Sequence, residues 1–173
     1  ANVAYRMALM HPMCFPVVAA IAVLYRGHRP MLRVLKDMFG DPLDKEKGRF
    51  FYILHHSLPQ ATEYYDSRAA EALRSIYAFS PGCDVDEPSV SSELMWVDGE
   101  PVGMLERLGR PKNLPEWFSQ DDLDYYVDEF KPRGFHGSLN WYRAGDISYD
   151  QTAELESKKF SQPILFIGGA EDP

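Results

Sequence analysis

An unbroken apolar run, Val17 to Leu24 (VVAAIAVL), sets the tightest limit on how this chain folds. Apolar and polar residues do not alternate in it, so a strand made from it is covered on both faces, the habit of parallel sheets. The run is far too short to cross a bilayer. Pro12 and Pro16 precede it, and it lacks the basic head and small-residue cleavage pattern of a secretory signal. Ala1 to Met10 is rich in helix formers, with small and apolar residues on more than one face, and His11-Pro12 closes it. A helix leading into such a strand is half of a βα repeat. At the far end, Pro163 to Ile167 (PILFI) reads as a brief buried strand, and Gly168-Gly169 as the turn that exposes Glu171 and Asp172.

The middle is largely helical. Met31 to Met38 forms one short helix, broken by Gly40-Asp41-Pro42. Lys45 to Pro59 is mixed, with aromatic and histidine residues crowded between Phe50 and His56. Gln60 to Phe79 reads as a single helix, with Ala69, Leu73, Ile76 and Tyr77 at helical spacing and Ser80-Pro81-Gly82 as its stop. Ser119 followed three residues later by Asp122 is a capping-box start for Ser119 to Phe130, in which Leu123, Tyr126, Val127 and Phe130 recur at i, i+3, i+4 and i+7. Leu139 to Arg143 opens another helix, and Thr152 to Lys158 adds a short one. Cys83 to Pro115 is polar, acid-rich and broken by Gly and Pro, so it reads as a long irregular excursion with one short turn around Met104 to Leu108. Its acidic run from Cys83 to Glu106 is taken as solvated, and Met7, Met10 and Met13 as fillers of core space.

Strand and helix at both ends with a helical middle describe an α/β sheet domain interrupted by a helical insertion. A helical lid over the carboxyl ends of parallel strands is where substrate pockets form. A length of 173 residues suits one domain, or a modest domain with an insertion. The net charge of −8 repels phosphate backbones and anionic membrane surfaces, so nucleic acid is excluded as a general partner. Two cysteines, Cys14 and Cys83, make no disulfide framework, and the simplest location is a reduced cytoplasm. His55-His56 lacks the spacing of a zinc site and reads as a pocket wall or surface patch. Gly168-Gly169 is no dinucleotide fingerprint. Neither a metal nor an organic cofactor is implied.

Three segments carry chemistry. They are Phe51-Tyr52-Ile53-Leu54 followed by Pro59, the run Gly134-Phe135-His136-Gly137-Ser138-Leu139-Asn140-Trp141-Tyr142-Arg143, and Ile164 to Pro173 ending in Gly-Gly-Ala-Glu-Asp-Pro. Together, and in this order, they resemble the α/β-hydrolase-fold epoxide hydrolases. Leu-Asn-Trp-Tyr-Arg after a Gly-Phe-x-Gly turn looks like the second cap-tyrosine segment of that family. Tyr52 sits where the first cap tyrosine would be, and Gly-Gly-Ala-Glu-Asp-Pro looks like the strand-end turn carrying the triad acid. The helix Ala1 to Pro12 is similar to the one that follows the family's nucleophile. The resemblance thus runs through nearly the whole chain, but matches only the middle and carboxyl-terminal half of a complete enzyme. It implies part of an α/β-hydrolase core sheet over 1–32 and 151–173, interrupted by a mainly helical cap over 33–150.

Opening an oxirane needs a nucleophile on carbon and a hydrogen-bond donor for the departing oxygen. A phenol with its ordinary pKa near ~10 is protonated at neutral pH and donates that bond. Two phenols over a single cavity stabilise the developing alkoxide by oxyanion-hole logic. The resemblance therefore implies that Tyr52 and Tyr142 polarise the epoxide, and that Asp172 steadies the imidazolium of a histidine base. Trp141, Phe51 and His55 are expected to line the substrate pocket. The nucleophilic aspartate falls before Ala1 and the catalytic histidine beyond Pro173, and none of His11, His28, His55, His56 and His136 occupies the base's position, so the chain alone is expected to be inactive. The implied partners are a small hydrophobic epoxide and further protein segments completing the sheet, whose edges would otherwise stand open; a homodimer is allowed, and no membrane span is implied. The rival enzyme is a dehalogenase of the same fold, whose halide needs indole or amide N–H donors in place of two phenols. The rival outside catalysis is a cap fragment acting as a binding or dimerisation module.

Overall fold

The computed structural model describes residues 2–78 and 84–170. Cys83, Glu171 and Asp172, and the end of the helix expected up to Phe79, lie outside the described residues. In chain order the elements are α1 (Asn2–Met10), β1 (Val18–Ile21), α2 (Met31–Phe39), α3 (Tyr52–Ser57), α4 (Ala61–Asp66), α5 (Ala69–Ala78), β2 (Trp96–Val97), β3 (Glu100–Pro101), α6 (Leu105–Leu108), α7 (Gln120–Phe130), α8 (His136–Arg143), α9 (Gly145–Asp150) and β4 (Ile164–Ile167). A 3-10 turn at Ala153–Leu155 precedes β4. The chain divides into two compact units, one of Ala1–Pro30 with Asp146–Pro173 and one of Met31–Gly145.

In the first unit, β1 and β4 pair in parallel with Val18 opposite Ile164 and Ile21 opposite Ile167, although they stand at opposite ends of the sequence. α1 buries Tyr5, Ala8 and Leu9, residues at helical spacing that form one stripe. Tyr5, Ala8, Val18 and Ala20 make a small core flanked by Phe15, Tyr25 and Phe160. Gln162 ties the approach to β4 into this core, its amide donating to the carbonyls of Ala8 (2.9 Å) and Phe15 (3.1 Å).

Three expectations fail here. Val17 to Leu24 was expected to be covered on both faces, but β1 alternates, with Val18 and Ala20 inward and Ile21 71% exposed. The brief buried strand expected at Pro163 to Ile167 is exposed at every position of β4. The reason is the same for both: among the described residues the small core of this unit covers only Val18 and Ala20 of the two-stranded sheet. Met7 and Met10 are partly exposed and Met13 is 94% exposed, so these methionines do not fill a core.

The second unit carries the larger core. Ala61, Tyr65, Ala72 and Leu73 from α4 and α5 pack with Leu105, Phe118, Leu123, Val127, Phe135 and Leu139. The capping box at Ser119 and Asp122 forms as the spacing predicts. A satellite cluster joins Leu35, Leu54 and Met95. The single helix expected from Gln60 to Phe79 is two helices, broken at Ser67-Arg68. The Ser67 hydroxyl donates back to the Glu63 carbonyl at 2.8 Å, a contact that bends helices. Arg68 is drawn aside to bond Glu71 and Glu106.

The excursion after Cys83 is more ordered than composition implies. Asp98 and Gly99 both have positive φ, 53° and 83°, and join β2 to β3 as a tight hairpin. Met95 is fully buried beside it. Glu106 is not solvated as a loop residue would be: it pairs with Arg68 and accepts the Tyr64 hydroxyl. Gly103 is where this is possible, because a Cβ there would lie 2.3 Å from the Tyr64 ring.

Candidate active site

The segments holding Tyr52 and Tyr142 meet inside the second unit. Phe51 is extended (φ −140°, ψ 129°), so the helical path starts at Tyr52, the first residue of α3. Tyr142 stands one residue before the end of α8. α8 is pinned at both ends. Asp66 accepts the Phe135 backbone N–H at 2.7 Å, where Gly134 turns with φ +65°. Arg143 donates to the Leu58 carbonyl (3.0 Å) and the Thr62 hydroxyl (2.9 Å), fastening the end of α8 to the exit of α3 and the start of α4.

The consequence is a direct meeting of the two phenols. The rings of Tyr52 and Tyr142 lie edge to face, centroids 6.1 Å apart and planes at 87°, within the favourable range for aromatic pairs. Tyr52 is 42% exposed; Tyr142 is half-buried. Burial, and then the Tyr52 phenol beside it, push the Tyr142 hydroxyl above its ordinary range. Tyr142 is therefore a protonated donor throughout neutral pH.

Behind this pair stands His56, one turn after Tyr52 on the same face of α3. Its ring is 4.7 Å from that of Tyr142 and 5.7 Å from that of Tyr52, and Nε2 lies 2.7 Å from the Tyr65 hydroxyl. Burial lowers its pKa to about 4, so it is neutral. His55 faces the other way, toward Tyr64 (5.0 Å) and Phe50 (5.9 Å). Burial, reinforced by His56, lowers its pKa to about 3.

A concavity of about 330 Å³ opens beside Tyr142, walled by His56, Trp141, Tyr77, Ile76, Phe130 and Leu139 among others. Its lining is mostly apolar and aromatic, the surroundings an apolar ligand requires. Of the expected pocket residues, Trp141 is on this wall. His55 and Phe51 are not: His55 is buried behind His56, and Phe51 stacks on Phe39 with centroids 4.7 Å apart. Tyr52 adjoins the cavity through its contact with Tyr142 and is not itself on the wall. Asp172 lies outside the described residues.

Tyr65 was not singled out by the sequence, and His56 was read only within the His55-His56 pair as a pocket wall or surface patch; the structure places it on the wall. The signal for His56 was its i+4 spacing from Tyr52, visible only once 52–57 is known to be a helix. Among the described residues, no three His, Cys, Asp or Glu side chains gather as a metal site, and no helix is long and apolar enough to cross a membrane.

No family model matches the chain. Epoxide hydrolase A of Mycobacterium tuberculosis (strain ATCC 25618 / H37Rv) is 35% identical over 177 residues, covering 100% of this chain and 51% of that protein. An epoxide hydrolase of Caballeronia sordidicola is 28% identical over 173 residues, covering 98% of this chain and 47% of its own length. The crystal structure of epoxide hydrolase A from Mycobacterium thermoresistibile superposes with a TM-score of 0.75 at 29% identity, over 98% of this chain and 50% of that one. The chain spans about half the length of the curated relatives it matches. Matched from end to end in sequence and in backbone, the chain is similar over its whole length to about half of these epoxide hydrolases and has part of their α/β-hydrolase fold.

Proposed function

We propose that this chain is the cap-bearing portion of an enzyme that adds water to an epoxide to give a vicinal diol. The unit Met31–Gly145, close to the span 33–150 expected from the sequence, serves as the cap, and the other segments belong to the hydrolase core. Tyr52 and Tyr142 donate hydrogen bonds to the epoxide oxygen. A carboxylate from an aspartate outside these 173 residues attacks a ring carbon, the C–O bond breaks, and the oxygen takes up a proton. Water activated by a histidine base, also outside these residues and steadied by Asp172, then cleaves the aspartyl ester and releases the diol. The apolar cavity beside Tyr142 takes the substrate's hydrophobic substituent.

The observation that carries this reading is the edge-to-face contact of Tyr52 with Tyr142, two phenols brought together from helices eighty-odd residues apart by way of the Arg143 clamp. Names of relatives support the reaction class. A dehalogenase would want indole or amide donors where this pair offers hydroxyls. The test is diol formation from styrene oxide by a protein carrying this sequence together with the nucleophile and base. Turnover there, and none by the 173 residues alone, is expected. Turnover by the 173 residues alone contradicts the assignment of nucleophile and base to other segments, and no diol from the longer protein contradicts the reaction.

A further inference from the structure

The buried pair His56–Tyr65 is left unexplained by the reaction above. His56 is 6% exposed, and among the described residues its Nδ1 is buried without a hydrogen-bond partner. A buried, unsatisfied nitrogen is a cost that a phenylalanine of the same shape avoids. What phenylalanine lacks is the contact of Nε2 with the Tyr65 hydroxyl at 2.7 Å. That contact fixes the plane of the imidazole, because rotating the ring breaks the bond inside a desolvated pocket. Tyr65 is itself buried, 1% exposed and packed on Phe135 at 5.6 Å. The imidazole in turn lies against both phenol rings, 4.7 Å from Tyr142 and 5.7 Å from Tyr52.

We propose that His56, held by Tyr65, is the positioning residue for the Tyr52–Tyr142 pair. Its two nitrogens are withdrawn, one bonded to Tyr65 and one buried, so it offers the cavity only ring carbons and acts on the reaction through the tyrosines. Its consequence for catalysis rests on the epoxide-polarising role proposed for those tyrosines; the geometric claim does not. A glutamine places its terminal amide where His56 places Nε2 and restores the bond to Tyr65, whereas phenylalanine keeps a flat aromatic ring and loses the bond.

The experiment compares His56→Phe, His56→Gln and Tyr65→Phe. The first readout is the NMR cross-peak between the ring protons of Tyr52 and Tyr142, read beside the unfolding midpoint. His56→Phe and Tyr65→Phe weaken the cross-peak and lower the midpoint, because each leaves a buried polar group without its partner, and His56→Gln restores both. The second readout is kinetic, in the protein that also carries the nucleophile and base. There His56→Phe lowers kcat roughly tenfold or more, as expected for a misaligned donor, with KM for styrene oxide within about twofold. An intact cross-peak in His56→Phe overturns the proposal. So does a lost cross-peak with a lowered midpoint that His56→Gln fails to recover, since that marks packing alone. If the wild-type protein forms no diol, the reaction reading fails and the cross-peak still decides the positioning role.

Discussion

The Tyr52 and Tyr142 rings meet edge to face, centroids 6.1 Å apart, while the imidazole of His56 lies beside both. Each phenol reaches this place by a different route. Tyr52 is the first helical residue after an extended turn, and Tyr142 is carried at the end of a helix held by Asp66 and Arg143. The pair is therefore built by the backbone and its anchors, so the effect on catalysis proposed for it can be separated from an effect on stability.

Arg143 is the first place to test that separation. Arg143→Met removes the bonds to the Leu58 carbonyl and the Thr62 hydroxyl. The loss of two such bonds is expected to lower unfolding stability by about 1–3 kcal/mol. The end of α8 then moves relative to α3, and the Tyr52–Tyr142 cross-peak weakens. Denaturant unfolding checks the first outcome, NMR the second.

Acid should destabilise the second unit before its carboxylates titrate. His55 and His56 remain neutral in the fold to about pH 3 and about pH 4. In the unfolded chain a histidine takes up its proton near pH ~6.5. Below that value the unfolded chain binds more protons than the fold, so stability is full above it and is lost as pH falls toward 4. The slope is about 1.4 kcal/mol per pH unit for each histidine. Chemical denaturation between pH 7 and 4 measures it, and His56→Phe should halve the slope in the upper part of that range.

The Glu106 carboxylate joins two helices by accepting Tyr64 and pairing with Arg68. Glu106→Gln keeps the shape and removes the charge. Because both side chains of the pair retain a quarter to a third of their exposure, the expected loss is modest, about 1–2 kcal/mol. Differential scanning calorimetry reads it as a lowered midpoint.

Much of this arrangement was legible in the residues, and the misses have physical causes. Ser119-x-x-Asp122 announces α7 because a capping box is local chemistry. The hairpin at Asp98-Gly99 was legible too, since Asp-Gly is a strong two-residue turn signal. It went unread because the flanking strands, Trp96–Val97 and Glu100–Pro101, are too short to show alternation. The break at Ser67 was hidden because Ala69, Leu73 and Tyr77 keep their helical spacing across it. Parallel pairing could be inferred from the apolar run at β1, but a run that long promises cover on both faces, which β1 and β4 do not have within this sheet. For the site, Tyr142 was marked by its motif. The place of His56 was not, because adjacent histidines look alike until a helix sends one toward Tyr142 and the other toward Tyr64.

The open faces of β1 and β4 make a further expectation. Ile21, Leu165 and Ile167 are exposed, and apolar surface of this kind binds hydrophobic dyes and self-associates. The 173 residues studied alone should enhance the fluorescence of such a dye, and Leu165→Lys should reduce that enhancement. A chain silent to the dye would contradict the idea that further protein covers this sheet.

The role proposed for the Tyr142 hydroxyl is to carry negative charge away from the oxygen of an opening epoxide. The measurement that meets it most directly is kcat for diol formation from styrene oxide by Tyr142→Phe, in the protein that supplies the nucleophile and base, with the unfolding midpoint read in parallel. A fall of roughly 10² in kcat, the usual cost of deleting one oxyanion donor, at an unchanged midpoint is the predicted result. Wild-type turnover in Tyr142→Phe would contradict the claim.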